Sequence, residues 1–314
     1  MSADSNPPNR VSLGILLMTG FAIIAPCMDA LAKLLGESIG VGQIVAFRFG
    51  VQTAILLPVS FWFGWLHRPD MKEMSLHVLR GVLIMVATAF FFQAVRYMPI
   101  ADAIAIFFVE PFFLTLLGAW FLGEAIGMRR YMACAIGFCG ALLVIQPSFA
   151  KVGAPALLPL GTAVCFAFYL ILTRKMSQRM HPVTLQVYSG AAAVAIILPF
   201  LWVFDGSAIA PLDPAWPLSW ELWMLLGIGF IATLSHLCIS FAFAYAPASI
   251  LAPIQYLEIV AATILGYFIF NDLPDVLTVL GVLLIVGAGL FVFFRERQAD
   301  KQPLPEPTNA AQSR

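Results

Sequence analysis

The chain has 314 residues, of which 61% are hydrophobic and only 11% are charged, and its mean hydropathy is +0.93. Soluble proteins carry about 25% charged residues, so this composition excludes them and predicts an integral membrane protein. The 17 basic and 17 acidic residues cancel to zero net charge, which excludes a strongly basic nucleic-acid-binding protein and an acidic disordered chain.

Ten apolar stretches follow one another along the chain, separated by short polar or Gly/Pro-containing breaks. A transmembrane helix needs about 20 mainly apolar residues. The sequence therefore predicts an all-α integral membrane protein with ten transmembrane helices. The expected spans are 11–35, 41–64, 77–97, 100–122, 130–147, 154–174, 183–204, 221–245, 247–269 and 276–294.

The two ends of the chain and its basic residues predict its orientation. The first apolar stretch contains Asp29 and Lys33, which is typical of an anchored helix rather than a cleaved signal peptide. Residues 295–314 are polar and predict a disordered cytoplasmic tail. With both termini inside, 13 of the 17 basic residues, Arg80 among them, fall in cytoplasmic segments, as the positive-inside rule requires. We expect a multi-pass protein of a bacterial-type cytoplasmic (inner) membrane with both termini in the cytoplasm.

The second half of the sequence repeats the first. Identical residue types recur at a constant offset of 148 residues: Tyr97 and Tyr245, Pro99 and Pro247, Glu110 and Glu258, Gly118 and Gly266. The chain therefore divides into a first five-span repeat, 1–150, and a second, 151–294. An odd number of spans inverts the second repeat in the membrane. Inverted repeats are typical of secondary transporters, whose substrate site lies near the midplane between the repeats.

Several motifs resemble a known family. The run FFFQAVRYMPIADAIA at 90–105, followed by Val109-Glu110-Pro111, resembles the drug/metabolite transporter superfamily of the EamA type. A second copy of the pattern begins at Tyr245. The segments MDALAK at 28–33 and QIVAFR at 43–48 are similar to a subgroup that includes S-adenosylmethionine and riboflavin uptake carriers. The resemblance implies a carrier of a small metabolite and leaves the direction of transport open.

Three ionisable residues lie within the first two predicted spans. Each costs about 2.5–3.5 kcal/mol at mid-membrane on insertion scales and so needs a partner or a function. Asp29 and Lys33 are four residues apart on one helix face, where they can form an ion pair. Arg48 lies early in the second span. The cluster is either a neutral structural contact, or an outer gate or an anchor for an anionic substrate group, which a guanidinium can bind bidentately.

Glu110 and Glu258 are equivalent under the repeat and fall near the centres of the fourth and ninth spans. Because Pro111 has no backbone donor, we expect the fourth helix to be distorted next to Glu110. Each carboxyl group is a candidate for proton coupling or for binding a cationic substrate group. The alternative is that both are inherited scaffold, hydrogen-bonded to broken backbone.

Further candidates for substrate or coupling contacts are polar and aromatic residues. Of the four histidines, His67, His77 and His181 are expected in cytoplasmic segments and His236 inside a span. An embedded histidine is either a hydrogen-bonded structural residue or a proton relay. Aromatic rings that face a cavity stack on planar ligands and attract cations, which favours a ring-containing metabolite. The remaining candidates are Gln93, Tyr169, Gln255 and Tyr256.

The sequence lacks the motifs of several other classes of protein. The sequence has no H-E-x-x-H, no paired Cys or His ligand set and no G-x-x-x-x-G-K-[S/T], so we expect no enzyme, no cofactor and no metal site. Its five cysteines, at unrelated spacings, predict no disulfide framework. The absence of a filter-like loop favours a carrier over a channel.

The expected function is secondary active transport of a small polar, ring-containing metabolite, with uptake of riboflavin or S-adenosylmethionine favoured. One alternative is an exporter of amino acids or related metabolites, and another is a non-transporting receptor or scaffold. The expected partners are the metabolite and the lipid bilayer, without nucleic acid. Small residues on the fifth and tenth spans fit packing within one chain or, alternatively, a homodimer interface.

Overall fold

The computed structural model describes residues 8–66, 68–113, 116–117, 128–177, 180–246, 251 and 254–299. Within these residues the regular structure is helical, without a β-strand. The α-helices are α1 (Pro8–Leu34), α2 (Val41–Trp62), α3 (Met71–Val95), α4 (Ile100–Phe107), α5 (Met128–Val152), α6 (Leu158–Ser177), α7 (Pro182–Val203), α8 (Ser219–Tyr245), α9 (Leu257–Phe270) and α10 (Val276–Ala299).

Seven segments of the described chain are long and apolar enough to cross a membrane. They are Val11–Glu37, Val41–Trp62, Met71–Val95, Tyr131–Val152, Ala154–Thr173, Pro182–Val203 and Ser219–Ala242, and two shorter apolar helices, Leu257–Phe270 and Val276–Phe291, follow them. The all-helical membrane fold is confirmed. The full number of ten crossings stays a prediction.

Local chemistry determines where several helices begin and end. α3 begins six residues before the predicted span because the Asp70 carboxylate accepts the Glu73 N–H at 2.7 Å, which caps the helix. α7 begins with Pro182, a residue suited to the first turn, where no N–H is needed. α9 ends because Asn271 adopts a left-handed conformation, with φ of 58°, and its N–H donates to the Tyr267 carbonyl at 3.0 Å.

The predicted fourth and ninth spans are both interrupted. α4 ends at Phe107, the chain turns through 108–109 and it is helical again at 110–113. Because Pro111 has no N–H to donate to the Phe107 carbonyl, the helix cannot continue unbroken there. The structure thus has the distortion expected next to Glu110. In the second half, a turn at Tyr256 likewise precedes α9.

Helices of the first half pack mainly against helices of the second. α1 packs on α8 and α9, α2 on α7 and α8, α3 on α6 and α7, α4 on α6 and α9, and α5 on α10. If the halves are exchanged, the α1–α8 contact becomes the α6–α3 contact and α2–α8 becomes α7–α3. The set of main contacts therefore maps onto itself, as a pseudo-twofold relation between the halves requires.

One end of the helix assembly, here called the Lys33 end, is closed by contacts between segments distant in sequence. It comprises residues 33–43, 96–102, 205–218 and 271–275. The Gly42 N–H donates to the Pro211 carbonyl at 2.8 Å. The Gln43 side chain donates to the Ala215 carbonyl at 2.9 Å and accepts its N–H at 3.0 Å. The segment 205–218 is thereby held against the start of α2.

Candidate functional site

A cavity of about 90 Å³ lies where helices of the two halves meet. Its lining combines ionisable groups with aromatic rings, supplied by α1 to α4 and by α6, α8 and α9. The ionisable residues are Asp29, Arg48, His236 and Glu258, the hydroxyl residues are Thr88 and Thr162, and the aromatic residues are Phe21, Phe91, Phe92, Phe107 and Phe166. Four of the ten candidate residues from the sequence are therefore brought to one place.

Arg48 is the most constrained of these groups. Its side chain is 1% exposed, and its guanidinium lies over the Phe49 ring, 3.9 Å from the centroid. Nη2 is 2.7 Å from Nε2 of His236. Because arginine carries donors only, Nε2 must be the acceptor, so His236 is neutral with its proton on Nδ1. Nε and Nη1 of Arg48 have no hydrogen-bond partner among the described residues.

The two acidic groups of the cavity come from opposite halves of the chain. Asp29 on α1 is 3% exposed and Glu258 on α9 is 7% exposed. Neither forms an ion pair within 4.0 Å with a residue that the structure describes. An ionised carboxylate is an acceptor only, so these groups can receive ammonium or other cationic groups of a ligand.

The expected ion pair between Asp29 and Lys33 is wrong. Nζ of Lys33 lies 2.6 Å from Oδ2 of Asp272, donates to the Met98 carbonyl at 3.2 Å and sits 4.5 Å from the Phe270 ring centroid. The Lys33 side chain therefore contacts the Asp272 carboxylate, the Met98 carbonyl and the Phe270 ring at this end of the helix assembly. The predicted partner lies on the same helix as Lys33, whereas the observed partner, Asp272, lies in the loop after α9.

The assignment of Arg80 to a cytoplasmic segment is also wrong. Arg80 lies on α3, 1% exposed, and donates to Thr173 Oγ1 and the Leu185 carbonyl, both at 2.8 Å, and to Ser189 Oγ. It also donates to the hydroxyl of the candidate residue Tyr169 at 2.7 Å and lies over its ring. Tyr169 is therefore one of the residues that surround the Arg80 guanidinium, and it is not among the residues that line the cavity.

His77, expected in a cytoplasmic segment, is buried in α3 beside the Tyr188 ring, with centroids 4.7 Å apart. His77 and Arg80 both fall within the predicted span 77–97, and both are buried residues of α3. His67, assigned to a cytoplasmic segment as well, lies outside the described residues.

The other candidates lie away from the cavity lining. Gln93 donates to the Tyr97 hydroxyl at 3.2 Å. Glu110 is buried, and its Oε1 has no partner in the described part of the chain. Tyr256 packs on Phe108, with ring centroids 5.2 Å apart, and Gln255 beside it is half-buried.

Sequence reasoning missed the hydroxyl residues Thr88 and Thr162 and the rings of Phe21 and Phe166. No periodic signal marks them, because the helices are apolar on all faces. A larger groove of about 390 Å³ between α5 and α10 is lined by apolar side chains such as Met132 and Leu283. It offers no group that could orient a polar substrate, so we place the candidate site in the smaller cavity.

A helical membrane fold with a charged cavity between two halves defines the class of membrane carriers. The EamA-like transporter family matches this chain twice, over residues 12–146 and 154–294. The chain belongs to the EamA-like transporter family.

Three curated relatives of this chain are named after what they transport. It is 27% identical over 273 residues to the S-adenosylmethionine uptake transporter of Rickettsia felis, covering 86% of this chain and 89% of the relative. It is 29% identical over 278 residues to the pseudopaline exporter CntI of Pseudomonas aeruginosa, covering 88% and 94%. It is 27% identical over 251 residues to the riboflavin transporter of Vibrio cholerae, covering 79% and 81%.

Proposed function

We propose that this transporter takes up a small polar metabolite that contains a ring, and that the metabolite passes through the cavity between the two halves. The observation that carries the proposal is the lining, in which an arginine, two carboxyl groups and a histidine face the same space as five aromatic rings. Ionisable groups inside a membrane are expensive and mark substrate or ion pathways. Uptake of S-adenosylmethionine or riboflavin is favoured because relatives bear those names.

The proposed mechanism is alternating access by ten spans arranged as two inverted repeats, 1–150 and 151–294. The symmetric contacts between the halves support it. The cavity volume of about 90 Å³ is well below the roughly 300–1,000 Å³ of ordinary ligand sites. Helices of the two halves must therefore separate to admit a ring-containing substrate, and rocking of one repeat against the other supplies such a movement.

The ionisable residues have separate proposed roles. Arg48, Asp29 and Glu258 contact substrate, and the Lys33–Asp272 pair holds the Lys33 end closed. Glu110, buried outside the cavity lining, is the candidate for proton coupling. The distribution of Lys and Arg supports an orientation with both termini in the cytoplasm and the Lys33 end outside.

Export of amino acids or related metabolites is the second candidate function. One specific observation favours it, namely the 29% identity to a relative named as an exporter. The same cavity serves either direction, since the coupling gradient determines the sign of net flux.

The test is transport by the purified full chain in proteoliposomes. We expect saturable uptake and counterflow of radiolabelled S-adenosylmethionine or riboflavin, and loss of flux in Arg48→Gln with the folded yield unchanged. Arg68→Gln is the matched control, because Arg68 is exposed in the segment between α2 and α3. If no candidate metabolite or amino acid moves, the receptor or scaffold alternative replaces transport. Loss of folded Arg48→Gln protein would instead support a structural role for the Arg48 cluster.

A further inference from the structure

We propose that the cavity recognises an α-amino acid group, with Arg48 binding its carboxylate and Asp29 and Glu258 receiving its cationic groups. The proposal rests on the transport function proposed above and narrows its substrate class to amino-acid-bearing metabolites with a ring or a second cation. Among the favoured cargoes it selects S-adenosylmethionine, which carries a carboxylate, an ammonium and a sulfonium. Riboflavin has no carboxylate and no charge.

The two buried arginines of the described chain show why Arg48 is suited to a ligand. Both are 1% exposed. The Arg80 guanidinium donates to three side-chain oxygens and one backbone carbonyl within the protein. Arg48 has one hydrogen-bond partner, His236, and its Nε and Nη1 are unpartnered among the described residues. Arg80 is therefore a structural residue, whereas Arg48 retains donors beside the cavity that it lines.

His236 and Phe49 hold the guanidinium in position for this role. The hydrogen bond to Nε2 of His236 fixes one end, and the contact with the Phe49 ring fixes the plane. The acceptor is neutral, and no described carboxylate lies within 4.0 Å of the Arg48 guanidinium to form an ion pair with it. A guanidinium fork can bind a carboxylate through two parallel charge-assisted hydrogen bonds. His236 is thus a positioning residue.

The charge balance of the lining specifies the rest of the ligand. A bound cation favours the ionised form of a carboxyl group, so one arginine and two carboxyl groups complement a ligand with one negative and two positive groups. The Asp29 and Glu258 carboxyl groups come from different helices, so they can meet cations at two points of one ligand. Rings of Phe91, Phe107 and Phe166 add surfaces on which a planar ring stacks or a cation rests.

The experiment compares a ligand that has the three charged groups with one that lacks only the carboxylate and one that is uncharged. Binding to the full chain is measured in detergent by calorimetry, and flux is measured in proteoliposomes. The ligands are S-adenosylmethionine, its decarboxylated form and riboflavin. Because two charge-assisted hydrogen bonds are lost with the carboxylate, we expect wild type to bind S-adenosylmethionine about 30-fold or more tighter than the decarboxylated form. In Arg48→Gln this ratio falls to about 3 or less, and in Arg48→Lys, which keeps the charge and loses the fork, it lies between.

Two controls keep the outcome specific. Arg68→Gln leaves the ratio unchanged. Glu258→Gln weakens both charged ligands and also leaves the ratio unchanged, since it removes no carboxylate contact. If Arg48→Gln does not fold, the wild-type ratio and Arg48→Lys carry the test.

The possible failures are distinguishable. Equal affinity of wild type for the two forms, or an unchanged ratio in Arg48→Lys, overturns the assignment of Arg48. Riboflavin flux without binding of S-adenosylmethionine overturns the amino-acid inference and leaves transport intact. Carboxylate-dependent binding without flux of any ligand supports the inference and overturns the proposed transport.

Discussion

Removal of the Lys33–Asp272 ion pair should open the Lys33 end of the protein. The pair joins the end of α1 to the loop between α9 and α10, with Nζ and Oδ2 2.6 Å apart. The same ammonium also donates to the Met98 carbonyl. The ion pair ties the two halves of the chain together at one end, so Asp272→Asn should favour conformations in which that end is open.

The length and the exposure of the Lys33–Asp272 pair set the expected size of the change in the equilibrium between closed and open forms. At 2.6 Å and an effective dielectric constant of about 20, the Coulomb attraction is about 6 kcal/mol. The side chains of Lys33 and Asp272 are 16% and 29% exposed, so water screens part of this attraction. In Asp272→Asn the amide oxygen still accepts a hydrogen bond from the Lys33 ammonium, so part of the contact is retained while the attraction between two full charges is lost. We expect a net loss of about 1.4–2.8 kcal/mol, which is about 10- to 100-fold in the equilibrium between closed and open forms.

Thiol accessibility measures this equilibrium. Met98 is buried beside the pair, so Met98→Cys, in a chain whose five native cysteines are replaced, reports opening through its rate of labelling by a membrane-impermeant maleimide. The rate should rise about 10- to 100-fold in Asp272→Asn. The exchange of Lys33 and Asp272 should restore slow labelling in part, because the carbonyl contact of Lys33 is lost.

Asp275→Asn is the matched control. Its pair with Lys151 is longer, 3.6 Å, and far more exposed, and such surface pairs contribute about 0–1 kcal/mol. The labelling rate should therefore change by less than about fivefold. A rate in Asp272→Asn within twofold of the parent would refute the gating role.

Three further predictions concern single residues. Glu110→Gln should abolish the dependence of uptake on an imposed pH gradient; flux with unchanged dependence would exclude proton coupling through Glu110. Ser189→Ala removes one acceptor of the Arg80 guanidinium. It should lower the thermal unfolding midpoint in detergent by the equivalent of about 1.5–3 kcal/mol, without changing substrate affinity. The N–H of Thr278 donates to the Asp275 carboxylate and lowers its pKa, so this cap stabilises the protein above the unfolded-state pKa of about 3.9 and is lost as pH falls through the lower folded-state value. Asp275→Ala should therefore cost about 0.5–2 kcal/mol at pH 7, and the difference in unfolding midpoint should shrink as the pH falls below about 3.9; a constant difference would contradict the cap.

The fold follows from sequence wherever a single physical effect dominates. Apolar runs predict helices because backbone groups in lipid must be paired within the segment. Helix ends such as Asp70, which moves the start of α3, depend on one hydrogen bond of a capping side chain and are less visible in an apolar pattern. The repeated Glu110 and Glu258, together with Pro111, indicate where the fourth and ninth helices break.

Partners distant in sequence could not be predicted. Lys33 has a candidate partner four residues away in Asp29 and another 239 residues away in Asp272; only the tertiary packing shows that the second one wins. Arg80 finds its acceptors on α6 and α7, one of them a backbone carbonyl that no side-chain pattern reveals. One feature of the sequence does indicate that Arg80 is buried, because it falls inside the predicted span 77–97. The orientation prediction nevertheless counted Arg80 among the cytoplasmic charges.

The two glutamates that the repeat makes equivalent occupy different surroundings. Both follow a break in a helix. Phe108 and Tyr256, which lie in the two breaks, are equivalent at the same offset of 148 and pack on each other. Glu258 nevertheless lines the cavity, whereas Glu110 does not. In a carrier with inverted repeats, the opposite state arises when the halves exchange conformations. Under the proposed mechanism that exchange brings Glu110 into the surroundings that Glu258 has here. A carboxyl group whose surroundings alternate with the transport cycle can take up a proton in one state and release it in the other, which is why Glu110→Gln is the variant that tests coupling.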